Sequence, residues 1–245
     1  MRTLLKLSWI ELKLFIREPI SGIFTFALPL IFLFVLGGVF GTIADEQLRN
    51  AKPMDYYTPA YIALVAASIG LVGLPIHYAN YRERGVLRRF RASPLPLWCV
   101  FGSQILISLI IALVGGILLV SASVIVFDIA PPESPGLAIA GFFPGVVAFI
   151  AIGTLLGSLL PTTRAAQGLG LILFVAMLMV SGTGPPPEYM SDVMEKTGQA
   201  MPLHYAVRLI QDPWLGFGWN WHAFLVLIGI TLAASLASLR LFRWE

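Results

Sequence analysis

The chain has 245 residues, of which 58% are apolar and only 12% charged, far below the roughly 25% charged that a soluble domain carries. That balance excludes an ordinary soluble enzyme or binding module and points to a membrane protein. A formal charge of +3, with the basic residues in blocks at the ends of apolar runs, argues against a nucleic-acid binder.

Residues 4–18 place Lys6, Lys13 and Arg17 on one helical stripe and Leu5, Trp9, Leu12 and Ile16 on another, the pattern of an interfacial helix lying flat on a membrane. Lys6, Glu11 and Lys13 interrupt every apolar core that a signal peptide would need, so no removal of this segment is expected. Pro19 marks the turn into a first span at 20–43, long enough to cross a hydrocarbon core of ~30 Å at about 1.5 Å per residue. After a polar stretch at 44–56, a second apolar run at 57–78 leads into the most basic island of the chain.

That island, 81–95, holds five of the 16 Lys and Arg residues. Read as a helix at about 100° per residue, it puts Arg84, Arg88 and Arg91 on one side, Val86 and Phe90 opposite, and Leu87 at the border. The segment is therefore amphipathic, and Pro94 and Pro96 end it before the next apolar run. Its five arginines are equally compatible with contact to lipid headgroups.

A third span is expected at 97–127, a Pro-rich turn at 128–136 and a fourth span at 137–160. The short connection Pro161-Thr162-Thr163-Arg164 leads to a fifth at 166–181. Residues 182–220 are too polar for a simple span and too apolar for a solvated linker. A sixth span follows at 221–239. The whole chain then reads as a single all-α membrane domain, 1–245, with both termini on one side.

The side follows from counting. Arg2, Lys6, Lys13, Arg17, the five arginines of the island, Arg164, Arg240 and Arg243 make 12 basic residues on one face, against Glu11, Glu18, Glu83 and Glu245. The other face has four basic residues and nine acidic ones. By the positive-inside rule the first face is cytoplasmic.

No Gly-x-x-x-x-Gly-Lys-Ser/Thr loop occurs, so the chain has no Walker cradle for nucleotide phosphates. The single Cys99 excludes an intrachain disulfide and a Cys-based metal cluster. His77, His204 and His222 are far apart, without metal-ligand spacing, and no Gly-x-Ser-x-Gly elbow supports a hydrolase. No catalytic residues and no metal site are expected. Gly37-x-x-x-Gly41, Gly141-x-x-x-Gly145 and Gly153-x-x-x-Gly157 are sites of close helix approach, read as packing within one subunit. The intramembrane polar residues Thr25, Ser68, Ser103, Gln104, Ser108, Thr154, Ser158 and Gln167 are candidates to line a path. No Asp, Glu or Lys lies in the middle of a span, which speaks against an ion-coupled carrier and for a lipid-like or amphipathic substrate.

The sequence Arg-Glu-Arg-Gly-Val-Leu-Arg-Arg-Phe-Arg-Ala-Ser-Pro-Leu, residues 82–95, resembles the cytoplasmic loop of ABC-2 type transporter permeases, the group that includes daunorubicin-resistance permeases. Val86 stands where Thr is common. The resemblance implies that 81–95 is a coupling helix docking on a separate ATPase subunit, with Arg82, Glu83, Arg84, Gly85, Leu87, Arg88 and Phe90 at the contact. A second likeness lies in Ser181-Gly182-Thr183-Gly184-Pro185-Pro186-Pro187 and Ala200-Met201-Pro202-Leu203-His204-Tyr205-Ala206-Val207. In that family similar segments form short helices dipping into the membrane from outside. It implies an extracellular re-entrant region at 182–220 with a gate of Pro185, Pro186, Pro187, Met201, Pro202 and Tyr205, although Gly184-Pro185 departs from the usual bulkier residues. An ordinary external loop is the alternative.

Family membership further implies a permease in the plasma membrane of a prokaryote, paired with a second copy of itself or a homologous permease and with two ATP-binding subunits. ATP and Mg would sit on those partners, with no cofactor on this chain and no nucleic-acid partner, only membrane lipids around it. The function implied is export of a lipid-like or hydrophobic drug-like substrate. The alternatives are a secondary transporter or channel and a membrane-embedded lipid-modifying enzyme.

Overall fold

The structure is a computed structural model that describes residues 2–40, 48–86, 97–185 and 190–241, and within these it is all-helical. Six helices among the described residues are long and apolar enough to cross a membrane. They are numbered here spans 1 to 6: Pro19–Val39, Pro53–Glu83, Gly102–Phe127, Pro135–Leu159, Thr163–Val180 and Trp221–Leu241. A separate helix, Arg2–Ile16, precedes them, and two shorter ones, Asp192–Gln199 and Pro202–Trp214, lie between spans 5 and 6.

Span 2 is the axis of the bundle. It is almost wholly buried, whereas fewer than a third of the residues of spans 1, 5 and 6 are buried. Its buried aromatic residues include Tyr57 and Tyr61, whose rings stack 5.7 Å apart. Span 4 approaches the axis so closely that side chains have no room. A Cβ at Gly153 would strike the carbonyl oxygen of Gly70 on span 2, and one at Gly141 the carbonyl oxygen of Leu209. Gly145 faces Ala206, and Gly157 faces the ring of Tyr78. Both Gly-x-x-x-Gly pairs of span 4 thus pack inside the chain, one on helix Pro202–Trp214 and the other on span 2. Gly37 packs on the ring of Phe127, and Gly41 lies outside the described residues.

Spans 1 and 2 each contain one π-helical turn, at Ile23–Ala27 and Ile69–Gly73. The Ser68 hydroxyl donates to the Val65 carbonyl oxygen at 2.8 Å and lies 3.1 Å from the Thr25 hydroxyl, so the two distorted turns sit side by side. Such turns mark places where a helix ladder yields most easily. Helix Arg2–Ile16 packs along the third long helix, Leu97–Phe127. It buries Leu7, Ser8 and Glu11, and leaves Leu5, Trp9 and Ile16 on the outside.

Candidate functional site

The stretch 81–95, expected as a coupling helix, is described only to Val86, which is helical again after a turn at Arg84 and Gly85, and its remainder lies outside the described residues. Span 2 ends at Glu83, the Arg84 N–H still bonds the Asn80 carbonyl at 3.0 Å, and Gly85 takes a φ of 65°. A left-handed residue just past a helix end is the position glycine favours, because a Cβ there meets its own backbone. A Cβ at Gly85 would touch nothing else within 4 Å, so the glycine serves the turn. Arg82, Glu83, Arg84 and Gly85 are described, while Leu87, Arg88 and Phe90 lie outside the described residues.

Two of these residues reach across to the turn between spans 4 and 5. The Arg82 guanidinium donates to the carbonyls of Leu160, Gly157 and Ser158 at 2.5, 3.0 and 3.3 Å. These are carbonyls of the last turn of span 4, which lack helical partners and form the negative end of the helix dipole. The Glu83 carboxylate accepts from the Thr163 backbone N–H at 3.0 Å and from its hydroxyl at 2.7 Å. Thr163 opens span 5, where unpaired N–H groups form the positive end. Thr162 completes the start of that helix by accepting from the Ala165 N–H at 3.2 Å. Neighbouring residues of opposite charge therefore hold opposite helix ends, and spans 2, 4 and 5 are tied at one point.

Just before Arg82 on span 2, His77 and Tyr81 meet Glu11 of the N-terminal helix in a buried polar group. Glu11, only 2% exposed, places one carboxylate oxygen 2.8 Å from His77 Nε2 and accepts from the Tyr81 hydroxyl on the other at 2.9 Å. Gln104 on span 3 also meets His77 Nε2, at 2.9 Å. A single ring nitrogen cannot donate to Glu11 and accept from the Gln104 amide at once, so the proton position decides which contact is a hydrogen bond. A cavity of about 30 Å³ beside them, bordered by Glu18 and Ser108, has room for about one water.

The opposite end of the bundle is closed by a second network. Arg49 donates to Asp212 at 2.6 Å and to Gln211 at 3.3 Å, and its guanidinium lies 3.9 Å from the centre of the Phe217 ring. Asn220 donates to the other Asp212 oxygen at 2.7 Å and accepts from the Ala223 N–H at 2.9 Å, capping span 6. Gln211 donates to the Tyr56 carbonyl at 3.0 Å. The segment before span 2, helix Pro202–Trp214 and the start of span 6 are thereby joined.

Among the residues read as an external gate, Pro202 opens that helix, Met201 precedes it, and Tyr205 stands between the His204 and His222 rings, 5.4 and 5.6 Å from their centres. Burial, aided by the Arg208 charge, lowers His204 to about 4, so its ring is neutral. Pro185 is exposed after a buried Ser181–Gly184 segment. Pro186 and Pro187 lie outside the described residues.

The polar residues read as lining a path are scattered. Thr25 and Ser68 face each other, Gln104 belongs to the His77 group, and Thr154 and Ser158 bond the carbonyls of Ile150 and Leu155. Gln167 is half-buried on span 5. A cavity of about 330 Å³ between spans 3 and 4 contains none of them. No group of three or more His, Cys, Asp or Glu among the described residues is arranged to hold a metal ion.

Sequence reasoning missed both networks, since Glu11 reads as one charge on a surface helix and Asp212 as one acid in a mixed loop. The pairing of Arg82-Glu83 with Pro161-Thr162-Thr163 had a local signal: a helix stop and a helix start separated by a proline, opposite a charge pair.

The ABC-2 type transporter family matches residues 2–213. A relative in Bacillus subtilis (strain 168), YvfS, carries the name of a candidate transport permease. It is 24% identical over 239 residues, covering 97% of this chain and 96% of that protein. With a family match over most of its length and six helices fit to cross a membrane, the chain belongs to the ABC-2 type transporter family.

Proposed function

We propose that this chain is the membrane subunit of an ATP-driven exporter, working with a second permease copy and two ATP-binding subunits. Both termini and the Arg82–Arg91 stretch are then cytoplasmic and residues 183–220 face outward. Three things support the reading. Basic residues gather on the Arg82 face. The N-terminal helix turns Leu5, Trp9 and Ile16 outward, as an interfacial helix does against lipid. Family membership supplies the class of machine.

The observation that carries the proposal is the double attachment of Arg82 and Glu83 to the turn between spans 4 and 5. A subunit docked on residues 84–91 pushes on a segment bolted to three spans, so a rigid-body movement of the ATPase pair moves spans 2, 4 and 5 together. The π-helical turns on spans 1 and 2 supply the place to bend, and the Arg49–Asp212 network is the contact to be released at the outer end. The substrate class that fits is lipid-like or hydrophobic, since no Asp, Glu or Lys lies in the middle of a span in the sequence.

The test is to co-express the chain with a Walker-motif subunit encoded beside it and to measure substrate-stimulated ATP hydrolysis in nanodiscs. Arg82→Ala should abolish stimulation while the complex still assembles, and Arg82→Lys should fail to rescue it, because a point charge cannot serve three carbonyls in a fork. Full stimulation in Arg82→Ala would remove the proposed linkage.

One observation favours a second reading, an ion-coupled carrier: Glu11 is buried against His77 between spans 2 and 3. That reading requires transport without ATP and its loss in Glu11→Gln.

A further inference from the structure

We propose that Glu11 and His77 share one exchangeable proton, and that this proton fastens the N-terminal helix to spans 2 and 3, so that the helix loosens as the pH rises. The inference rests on the packing of the bundle and concerns how one helix is seated, so it holds whether transport draws on ATP or on ions. Glu11 lies on the buried face of helix Arg2–Ile16, with its side chain 1% exposed and that of His77 10% exposed. One carboxylate oxygen is 2.8 Å from His77 Nε2, and the other accepts from the Tyr81 hydroxyl at 2.9 Å. Two bare acceptors at that separation would repel, so a hydrogen lies between them. Glu18 borders the same cavity of about 30 Å³, and Tyr78 and Tyr81 flank the His77 ring on span 2. The tyrosines are neutral near pH 7, and Gln104 and Ser108, which face the cavity from span 3, do not titrate. No Lys or Arg among the described residues borders the cavity.

Charge counting turns that arrangement into a switch. With the proton present, either an imidazolium faces the Glu11 carboxylate or a neutral carboxyl faces a neutral ring, and the pair is balanced. Without it, a carboxylate remains where it is almost sealed from water, with Glu18 as a second negative charge on the same cavity. A buried charge stripped of its partner is strongly destabilising. Gln104 supplies the alternative contact, because its amide nitrogen lies 2.9 Å from the same Nε2. A neutral ring protonated on Nδ1 accepts there from Gln104 and releases Glu11. The structure thus holds both partners of Nε2 ready, one for each protonation state. The freed carboxylate is relieved by moving toward water, for which the cavity has room for about one molecule. The helix that carries it is the element able to shift, since Leu5, Trp9 and Ile16 on its other face are exposed.

Distances between spin labels read the seating of the helix directly. In the full-length chain with Cys99→Ala, labels are placed at Leu5→Cys on the helix and Leu159→Cys at the end of span 4, positions that are 59% and 52% exposed. The labelled chain is held in nanodiscs, diluted with unlabelled chain so that only distances within one molecule are read, and measured by double electron–electron resonance. From about pH 6 to about pH 9, across the range where imidazoles titrate, a second distance should grow at the expense of the first. The ratio of the two populations should rise by up to about tenfold per pH unit, the dependence that one proton gives. Two variants separate the proton from mere packing. His77→Gln can hydrogen-bond but cannot titrate, and should show the second distance throughout. Glu11→Gln leaves no charge to strand, and should keep the first distance even at about pH 9, where imidazoles are neutral. A distribution that does not change with pH while Glu11 and His77 are intact overturns the proposal. So does a pH response that persists in His77→Gln, or a Glu11→Gln chain as loosened as His77→Gln at about pH 9.

Discussion

Glu83 and Thr163, 80 positions apart, are joined twice, the carboxylate taking both the backbone N–H at 3.0 Å and the hydroxyl at 2.7 Å. Read from sequence, Glu83 offers its carboxylate to a partner subunit. In the structure that carboxylate holds the first turn of span 5. In the proposed function, a docking subunit would meet Arg84 and the residues beyond, and Glu83 would pass the movement on.

The pair gives the first prediction. Glu83→Ala, which removes both bonds, should lower the thermal stability of the purified chain more than Thr163→Val, which removes only the hydroxyl, and the double variant should be little worse than Glu83→Ala alone. A double-mutant cycle in detergent melts measures this. Additive losses would show that the two side chains act separately.

Gly85 gives the second. Because its φ of 65° is the constraint and no neighbour crowds it, Gly85→Asn should retain coupling, since Asn tolerates the left-handed region. Gly85→Val should not, as a β-branched side chain adds about 1–2 kcal/mol there. Substrate-stimulated ATPase activity compares them. If Asn is as harmful as Val, close approach of a partner and not backbone conformation explains the glycine.

At the other end, removing Asp212 leaves Arg49 partly buried, at 17% side-chain exposure, with one hydrogen-bond partner and a ring. Asp212→Ala should cost about 1–3 kcal/mol in thermal unfolding, and Arg49→Met in that background should recover part of it by removing the stranded charge. Recovery would be absent if Arg49 were already solvated.

The glycines of span 4 supply the fourth prediction. Gly153→Leu forces span 4 away from the Gly70 carbonyl and should cost about 1–3 kcal/mol or more, seen as lost expression or a lowered melting temperature. Gly229→Ala on span 6, with open space around it, should be neutral or slightly stabilising. Equal tolerance at both positions would mean that spans 2 and 4 are not in backbone contact.

Six spans and the all-helical class were legible because apolar runs of that length have one economical structure in lipid. The packing role of Gly141, Gly145, Gly153 and Gly157 was legible for the same reason: small residues four apart leave a flat helix face. Tertiary pairing was hidden. Periodicity places Glu11 on a helix face but cannot say that His77 and Tyr81, more than 60 residues later, will cover it. Arginine periodicity across 81–95 passes over the turn at Arg84 and Gly85, where a positive φ separates the end of span 2 from a helical Val86. Thr25, Ser68, Thr154 and Ser158, which polarity marks as candidates to line a path, meet other hydroxyls or carbonyls of their own helices, pairings that polarity does not show.

The central claim, that residues 82–83 carry movement from the docking segment into spans 4 and 5, is tested most directly by replacing the hydrogen bonds with a covalent tie. With Cys99 changed to Ala, Glu83→Cys/Thr163→Cys is assembled with its ATPase subunit in nanodiscs, and substrate-stimulated hydrolysis is measured before and after a short bis-thiosulfonate cross-linker, then after reductant. Low stimulation in the unlinked double variant, recovery on cross-linking and loss again on reduction are the predicted results. Cross-linking that leaves stimulation low, or abolishes what remained, would contradict the account, because the two segments would then have to separate during turnover.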